Sequence, residues 1–371
     1  MFSSDTLLPV VVVGAGRVGQ AVARRLFNSG NYSVRLADPH YEVIDKAKSL
    51  GATAFYLSPA DYEKQLQLAL KGAFAVVCAT PDFVTRDIAA ATLGTGCHYL
   101  DVSENITTQR HIQNLALSAS SAYVTGCGLA PGWITTWVAD WVKKSGPLSC
   151  ITAYVGVLPN EKINRLGYAN MWGIDGLLYE YSAPCLALRD GKPILLEPLS
   201  ELEKLQLADE SFEAFNTAGT LDDLVERMKG NVKSLQFKTI RYPGHWDLMQ
   251  FLLYDLGLKN KPQILKNLLL NGLPTIVKDR IVVCIEVQQE GQSAERQRQV
   301  FQWRPSIEPT GPYSESAISG SCAAHVCAMI DWLRDFPGVP RGVINHADLS
   351  LSQLNKSSFM NEFVPSEEVI F

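Results

Sequence analysis

The sequence predicts an α/β protein: a doubly wound parallel sheet in its first part, followed by a second α+β domain with a mixed sheet. Three observations carry this. Four consecutive valines, Val10–Val13, run into a glycine-rich turn and then into helical spacing. Apolar runs of strand length then alternate with helical segments as far as Thr125. From Cys150 onward the texture changes, and strand-like segments follow one another with little helix between several of them. The expected boundaries are 1–130, 131–315 and 316–371.

The stretch VVVVGAGRVGQAVARRL, Val10 to Leu26, reads as strand, tight turn and helix, with Gly14, Gly16 and Gly19 in the GxGxxG pattern of the Rossmann turn. There the first glycine permits the bend, the second lets backbone approach a pyrophosphate, and the third lets helix pack on strand. The phosphates then rest on unpaired N–H groups at the helix start. A second strand, Tyr32 to Ala37, ends at Asp38, about twenty residues beyond the third glycine, where a carboxylate accepts the hydroxyls of an adenosine ribose. A 2′-phosphate beside that carboxylate would juxtapose like charges, so NAD is expected rather than NADP. A turn-capping role for Asp38, with Arg35 or His40 receiving a phosphate, is the alternative.

The rest of this half follows the same rhythm. Helical spacing at Tyr41–Leu50 and Asp61–Leu70 brackets a strand at Ala52–Leu57. A buried strand at Ala73–Ala79 stops at Thr80 and Pro81, and one at His98–Val102 opens into Ser103, Glu104 and Asn105; both are carboxyl ends that face a ligand in such a sheet. The expected cofactor contacts are therefore Gly14, Gly16, Arg17, Val18, Gly19, Asp38, Pro39, Ala79, Thr80, Pro81, Val102 and Ser103. Helices are expected at Thr85–Leu93 and Ile112–Ser118, and a strand at Ala122–Thr125. Trp133, Trp137 and Trp141 share one face of the helix that Pro131 and Gly132 introduce, as core, subunit contact or an aromatic wall beside substrate.

In the second domain, strands are expected at Ile151–Leu158, Ile194–Pro198, Phe212–Phe215, Ser234–Tyr242, Ile281–Val287 and Val300–Trp303. Helices are expected at Asp247–Leu256 and Lys261–Leu270, and a polar hairpin loop at Gly291–Arg296. Ser316–Phe336 is a small-residue helix expected to return to the first domain, and the tail beyond Asn355 is expected to be loosely ordered.

Composition narrows the function. With 371 residues, 47% hydrophobic and 19% charged, the chain is long enough for two domains. Its net charge of −5 gives no basic footprint for nucleic acid, and no Lys/Arg cluster suits an anionic membrane. The eight cysteines, Cys78, Cys97, Cys127, Cys150, Cys185, Cys284, Cys322 and Cys327, lack metal-ligand spacing and read as buried thiols. No basic region precedes the valine run, which removes a secretory reading and leaves a cytoplasmic one. Small-molecule chemistry without a metal is the expectation.

Ordered landmarks extend the reading: VVGAGRVG, HYLDVSE at His98–Glu104, GLAPGW at Gly128–Trp133, YVGVLP at Tyr154–Pro159, Trp172, LLYEYSAP at Leu177–Pro184, DGK at Asp190–Lys192, FEAF at Phe212–Phe215 and TIRYPGH at Thr239–His245. In this order they resemble the saccharopine dehydrogenase-like family over nearly the whole chain, and within it most resemble the lysine 6-dehydrogenase branch. Ala130 stands where saccharopine-forming members carry Asp in a GLDPG turn, and Val155 where they carry Cys before GGLP; Val157 breaks the usual glycine pair. The resemblance implies a Rossmann domain for NAD(P), a middle domain for substrate and dimer contact, and hydride transfer between nicotinamide and an amine-bearing carbon. It further implies L-lysine or a near relative as substrate, oxidised at the ε-carbon, and a homodimer. Saccharopine or carboxynorspermidine as substrate, and a non-catalytic NAD-binding regulator, remain open.

The resemblance implies roles for Arg241, Glu180 and Tyr181, and chain position suggests those of the other residues. Arg241 matches an arginine that grips a substrate carboxylate, which a planar guanidinium suits; pairing with Asp247 is its alternative. His245, with an ordinary pKa near 6.5, is a candidate acceptor of the ammonium proton or else a loop cap. Asp101 and Glu104 are candidates to hold a cationic amine, with a buried turn carboxylate the alternative for Asp101. Glu180 and Tyr181 are candidates to neutralise the substrate ammonium, Tyr181 more by packing. His98, His111 and His325 read as satisfied structural histidines.

Overall fold

A computed structural model describes residues 7–145, 148–219, 221–290, 296–305 and 315–369. The chain divides into two compact units, residues 1–136 with 319–362 and residues 137–318 with 363–371.

The first unit begins with strand β1 (Leu8–Val13), helix α1 (Arg17–Asn28), β2 (Tyr32–Asp38), α2 (Val43–Ser49), β3 (Thr53–Tyr56), α3 (Tyr62–Leu70) and β4 (Ala75–Cys78). Then come α4 (Asp82–Thr92), β5 (His98–Asp101), α5 (Ile106–Ala116) and β6 (Ala122–Val124). Val10–Val13 are at most 1% exposed, because helices cover both faces of the strand. Full burial of each such side chain contributes about 1.5–3 kcal/mol. The α5 helix starts earlier than its apolar spacing indicated, because the Asn105 side chain accepts the N–H groups of Thr107 and Thr108 and caps it.

Helix α6 (Ile134–Ser145) leads by sequence into the second unit, which contains β7 (Leu148–Pro159), α7 (Ile174–Ser182), β8 (Cys185–Arg189), β9 (Lys192–Leu196), β10 (Glu203–Leu207) and β11 (Glu210–Asn216). It continues with α8 (Asp222–Met228), β12 (Ser234–Arg241), α9 (His245–Gln250), α10 (Pro262–Gly272), β13 (Asp279–Gln289) and β14 (Arg296–Trp303). Last in chain order are α11 (Ala317–Asp335), β15 (Gly342–Val343), α12 (Leu351–Leu354) and β16 (Ser366–Val369).

The first unit's sheet has seven strands in the order β15-β6-β5-β4-β1-β2-β3, all paired in parallel. The order reverses at β1, which lies between β2 and β4, and ligands of doubly wound sheets bind outside the carboxyl ends at that switch point. The second unit's sheet has nine strands, β10-β11-β12-β7-β13-β14-β16 with β8 on β12 and β9 on β8. It is mixed: β12 and β7 are parallel and the other pairs antiparallel. The α/β class with two sheets is thus as the sequence predicts.

Several elements differ from expectation. Pairing of β16 with β14 gives the tail a strand where loose order was expected. The Asp247–Leu256 helix begins two residues earlier, at His245, and its second half is a wide turn, Phe251–Asp255. The hairpin loop expected at Gly291–Arg296 lies, apart from Arg296, outside the described residues. Among the described residues no helix is long and apolar enough to cross a membrane.

Candidate active site

In the first unit, β1 delivers Val13 to the switch point, and Gly14 turns the chain with φ of +100°. A Cβ at Gly14 would lie 2.3 Å from the Ala79 carbonyl oxygen, and one at Gly19 would lie 1.8 Å from the Gly14 carbonyl oxygen. The fold itself therefore demands glycine at both positions. Gly16 is different. Its φ of −75° suits any residue, and a Cβ built there meets nothing within 4 Å. It sits at the exposed start of α1, where N–H groups lack intrahelical partners, so the space it leaves fits a diphosphate drawn close to the backbone.

Asp38 ends β2 beside this turn. Its Oδ2 accepts the Ala15 N–H at 2.6 Å, and its Oδ1 accepts the His40 N–H at 2.8 Å and faces the His40 ring at 2.7 Å. Burial works to raise the carboxyl pKa, but these donors outweigh it and hold Asp38 below its ordinary value. An ionised carboxylate thus stands next to the glycine turn. Arg17 is exposed on the first turn of α1, Val18 is half-buried behind it, and Pro39 is exposed after Asp38.

The other predicted cofactor contacts lie at the ends of β4 and β5. The Ala79 N–H donates to Val13 O at 2.8 Å, which holds this backbone against the glycine turn, and Pro81 caps α4. Thr80 shares its hydroxyl with Cys78 and Thr85, and Val102 donates to Cys78 O.

Asp101 faces turn donors rather than open space. It is fully buried; Oδ1 accepts the Ser103 N–H, the Ser103 hydroxyl and the Gly126 N–H, and Oδ2 accepts the Tyr99 hydroxyl. Its burial and its four donors fit the buried turn carboxylate that the sequence left as the alternative, and burial raises its pKa despite those donors. Its work is to tie the Ser103 turn to the Gly126 loop. Glu104 is half-buried in the same turn.

In the second unit, α7 and the end of β12 bring a second group together. Ile174, Leu177, Leu178 and Tyr181 form the buried stripe of α7, which leaves Glu180 at its edge. Arg241 closes β12 and is 2% exposed. Its Nε donates to the Tyr181 hydroxyl at 2.8 Å and its Nη1 to the Ile240 carbonyl at 2.9 Å. The guanidinium lies over the Tyr168 ring at 5.1 Å and the Tyr181 ring at 5.7 Å.

Arg241 Nη2 faces Glu180 Oε2 at 3.7 Å, and Oε2 has no hydrogen-bond partner. Burial raises the Glu180 pKa to about 7 against the opposing pull of the Arg241 charge. His245, the first residue of α9, is wholly buried, with Nδ1 2.9 Å from Leu166 O and Nε2 2.9 Å from the Tyr181 hydroxyl. Burial and the Arg241 charge push its pKa down to about 3. Glu213, paired with Arg241 across the β11–β12 register, accepts the N–H groups of Gly244 and Trp246 and so fixes the α9 start.

Residues 10–126 match the model of the saccharopine dehydrogenase NADP binding domain, and residues 128–349 match that of the saccharopine dehydrogenase C-terminal domain. The chain belongs to the saccharopine dehydrogenase family. With the dinucleotide cradle described above, it is an NAD(P)-binding oxidoreductase of that family. Among solved structures, apo saccharopine dehydrogenase (L-Glu forming) from Saccharomyces cerevisiae matches 98% of this chain and 100% of its own, with TM-score 0.77 and 15% identity, a likeness of fold. A probable dehydrogenase from Thermotoga maritima matches 94% of this chain and 97% of its own, with TM-score 0.47 and 10% identity. An oxidoreductase from Sinorhizobium meliloti matches 95% of each chain, with TM-score 0.45 and 12% identity.

Within this saccharopine dehydrogenase-family chain, geometry corrects two further readings. His245 is not placed to take a proton from an amine, since both ring nitrogens are engaged and no part of it reaches solvent. His325 is fully buried, yet neither ring nitrogen has a hydrogen-bond partner among the described residues, so it is not the satisfied histidine expected. His98 is satisfied, accepting the Ala122 N–H at 3.0 Å, while His111 is exposed. Trp133, Trp137 and Trp141 are all buried, and Trp137 donates to the Gln299 side chain. Sequence reasoning missed Tyr168, which lies under the guanidinium, and the Leu166 carbonyl; neither position carries a periodic or motif signal.

Proposed function

We propose that this chain is an NAD-dependent dehydrogenase acting on the CH–NH2 group of an amino acid, resembling lysine 6-dehydrogenase. The observation that carries the reading is Glu180: a carboxylate whose pKa is raised to about 7, with Oε2 unbonded beside the Arg241 guanidinium. A carboxylate tuned near neutrality is suited to take a proton at cellular pH. An adjacent buried guanidinium is suited to hold a substrate carboxylate.

Arg241 binds the carboxylate of the amino acid and orients the chain. Glu180 receives the proton of the substrate ammonium, leaving a neutral amine whose lone pair pushes towards C=N as hydride departs. The bound dinucleotide supplies the hydride acceptor. Water then adds to the iminium carbon of the substrate, and ammonia leaves to give the aldehyde. In the first unit, Gly16 and the start of α1 would hold the diphosphate. Asp38 would take the ribose hydroxyls, which favours NAD over NADP.

The test is a panel of L-lysine, L-ornithine, saccharopine and carboxynorspermidine, each with NAD⁺ and with NADP⁺, followed by the absorbance of the reduced nicotinamide. The proposal expects turnover of a primary amine, strongest with lysine and NAD⁺. Turnover confined to the secondary amines, or to none of the panel, would refute it.

A further inference from the structure

Four groups form one hydrogen-bonded line in the second unit, and its two ends fix its polarity. At one end the Leu166 carbonyl can only accept, so His245 Nδ1 carries the proton that it shares at 2.9 Å. At the other end a guanidinium can only donate, so the Tyr181 oxygen is the acceptor for Arg241 Nε at 2.8 Å. The contact between Tyr181 and His245 Nε2, at 2.9 Å, then has one consistent assignment: the hydroxyl donates to a neutral imidazole. A second proton on His245 would aim a donor at an oxygen already accepting from Arg241 and would strand the hydroxyl proton.

The imidazole is also held against rotation. The Phe215 ring stacks on it at 6.3 Å and 12°, Tyr168 packs edge-on at 5.5 Å, and His245 is 0% exposed. Burial and the charge of Arg241 nearby both disfavour an imidazolium here.

We infer that His245 is a positioning residue: as the Nδ1–H tautomer it draws the Tyr181 hydroxyl proton to Nε2, so that the Tyr181 oxygen stays open to Arg241 Nε and sets which edge of the guanidinium meets a substrate carboxylate. The substrate arm rests on the proposed reading of Arg241 as a carboxylate anchor. The tautomer arm rests on geometry alone. The line also defines a specificity consequence: its effect is felt by substrates that carry a carboxylate and not by amines that lack one.

Two measurements test this. Nitrogen NMR of ring-labelled histidine in the intact chain should show one imidazole protonated at Nδ1 and bare at Nε2, with no titration between about pH 5 and 8. The reverse tautomer for His245, or titration in that range, overturns the inference without reference to any reaction. For kinetics, His245→Phe keeps the ring stack and removes both hydrogen bonds. The KM for L-lysine should rise by about tenfold or more at little change in kcat, the size expected when a buried hydroxyl loses its acceptor.

With 1,5-diaminopentane, an amine without a carboxylate, parent and variant should agree within about twofold. His245→Gln, whose amide oxygen can accept from Tyr181, should recover most of the loss, and Tyr181→Phe should reproduce the lysine defect should the first variant misfold. A fall in kcat shared by both amines would show that His245 acts on the amine and would overturn the inference. Should the parent oxidise no amine, the proposed reaction fails, and the tautomer measurement still decides the positioning role.

Discussion

Glu180 Oε2 and Arg241 Nη2 stand 3.7 Å apart, close enough to attract and too far to share a hydrogen bond. Glu180 is thereby left short of the partner that would fix it in the ionised form, and burial raises its pKa to about 7. The proposed reaction uses that incomplete pairing.

Glu180→Gln should lower kcat by about a hundredfold or more, the typical contribution of a positioned general base. In the parent, the rate should rise with pH up to about 7, because only the carboxylate can accept the proton, and then level off. The variant should lose this limb. Stability should move the opposite way. A carboxyl whose folded pKa is raised stabilises the fold below its unfolded pKa and loses that contribution as pH rises through about 7. Thermal unfolding should therefore find the Gln variant more resistant than the parent above pH 7, with the gap closing in acid.

Two glycines of the nucleotide turn should separate by phenotype. Gly16→Ala has room and an ordinary φ, so its melting temperature should stay near the parent's while calorimetry shows dinucleotide affinity down by about tenfold or more. Gly14→Ala, at φ of +100° and against the Ala79 carbonyl, should lose upwards of about 2 kcal/mol of stability.

Asp101→Asn should behave as a fold variant. An amide there can keep its oxygen on the three donors now feeding Oδ1, but its NH2 then faces the Tyr99 hydroxyl that donates to Oδ2, and a neutral oxygen replaces a carboxylate as their acceptor, at a cost of about 1–3 kcal/mol. Denaturant unfolding should show that loss, while kcat of the folded fraction, measured well below the melting temperature, stays within a few-fold of the parent. A large kcat loss without destabilisation would return Asp101 to the chemistry.

Asp38→Ser removes the charge that stands where a 2′-phosphate would lie. The ratio of kcat/KM for NADP⁺ over NAD⁺ should rise by on the order of a hundredfold. An unchanged ratio would place cofactor choice elsewhere.

The nucleotide half was legible in the sequence for a physical reason. Parallel strands buried on both faces read as unbroken apolar runs, as at Val10–Val13, and the turn between β1 and α1 admits so few residues that Gly14 and Gly19 are nearly diagnostic. The second half was less so. Strand β10, EKLQL, keeps only Leu205 and Leu207 buried, and α7 is nine residues long with a glycine inside, so neither stood out. Arg241, Tyr181 and His245 are brought together over sequence separations of 60 and 64, which no periodicity encodes, and Arg241 and Glu180 were found through resemblance alone. His245 was misread because a histidine's chemistry depends on burial and on what its second nitrogen meets, and neither is visible before folding.

The central claim is that hydride leaves the carbon bearing the substrate's terminal amine and goes to the nicotinamide. The direct measurement is mass spectrometry of the reduced cofactor formed from NAD⁺ and L-lysine carrying two deuterons on its terminal CH2. The account predicts one deuterium in each reduced nicotinamide and one ammonia released per turnover. Reduced cofactor without deuterium, or none formed from lysine under any condition in which the dinucleotide binds, would contradict it.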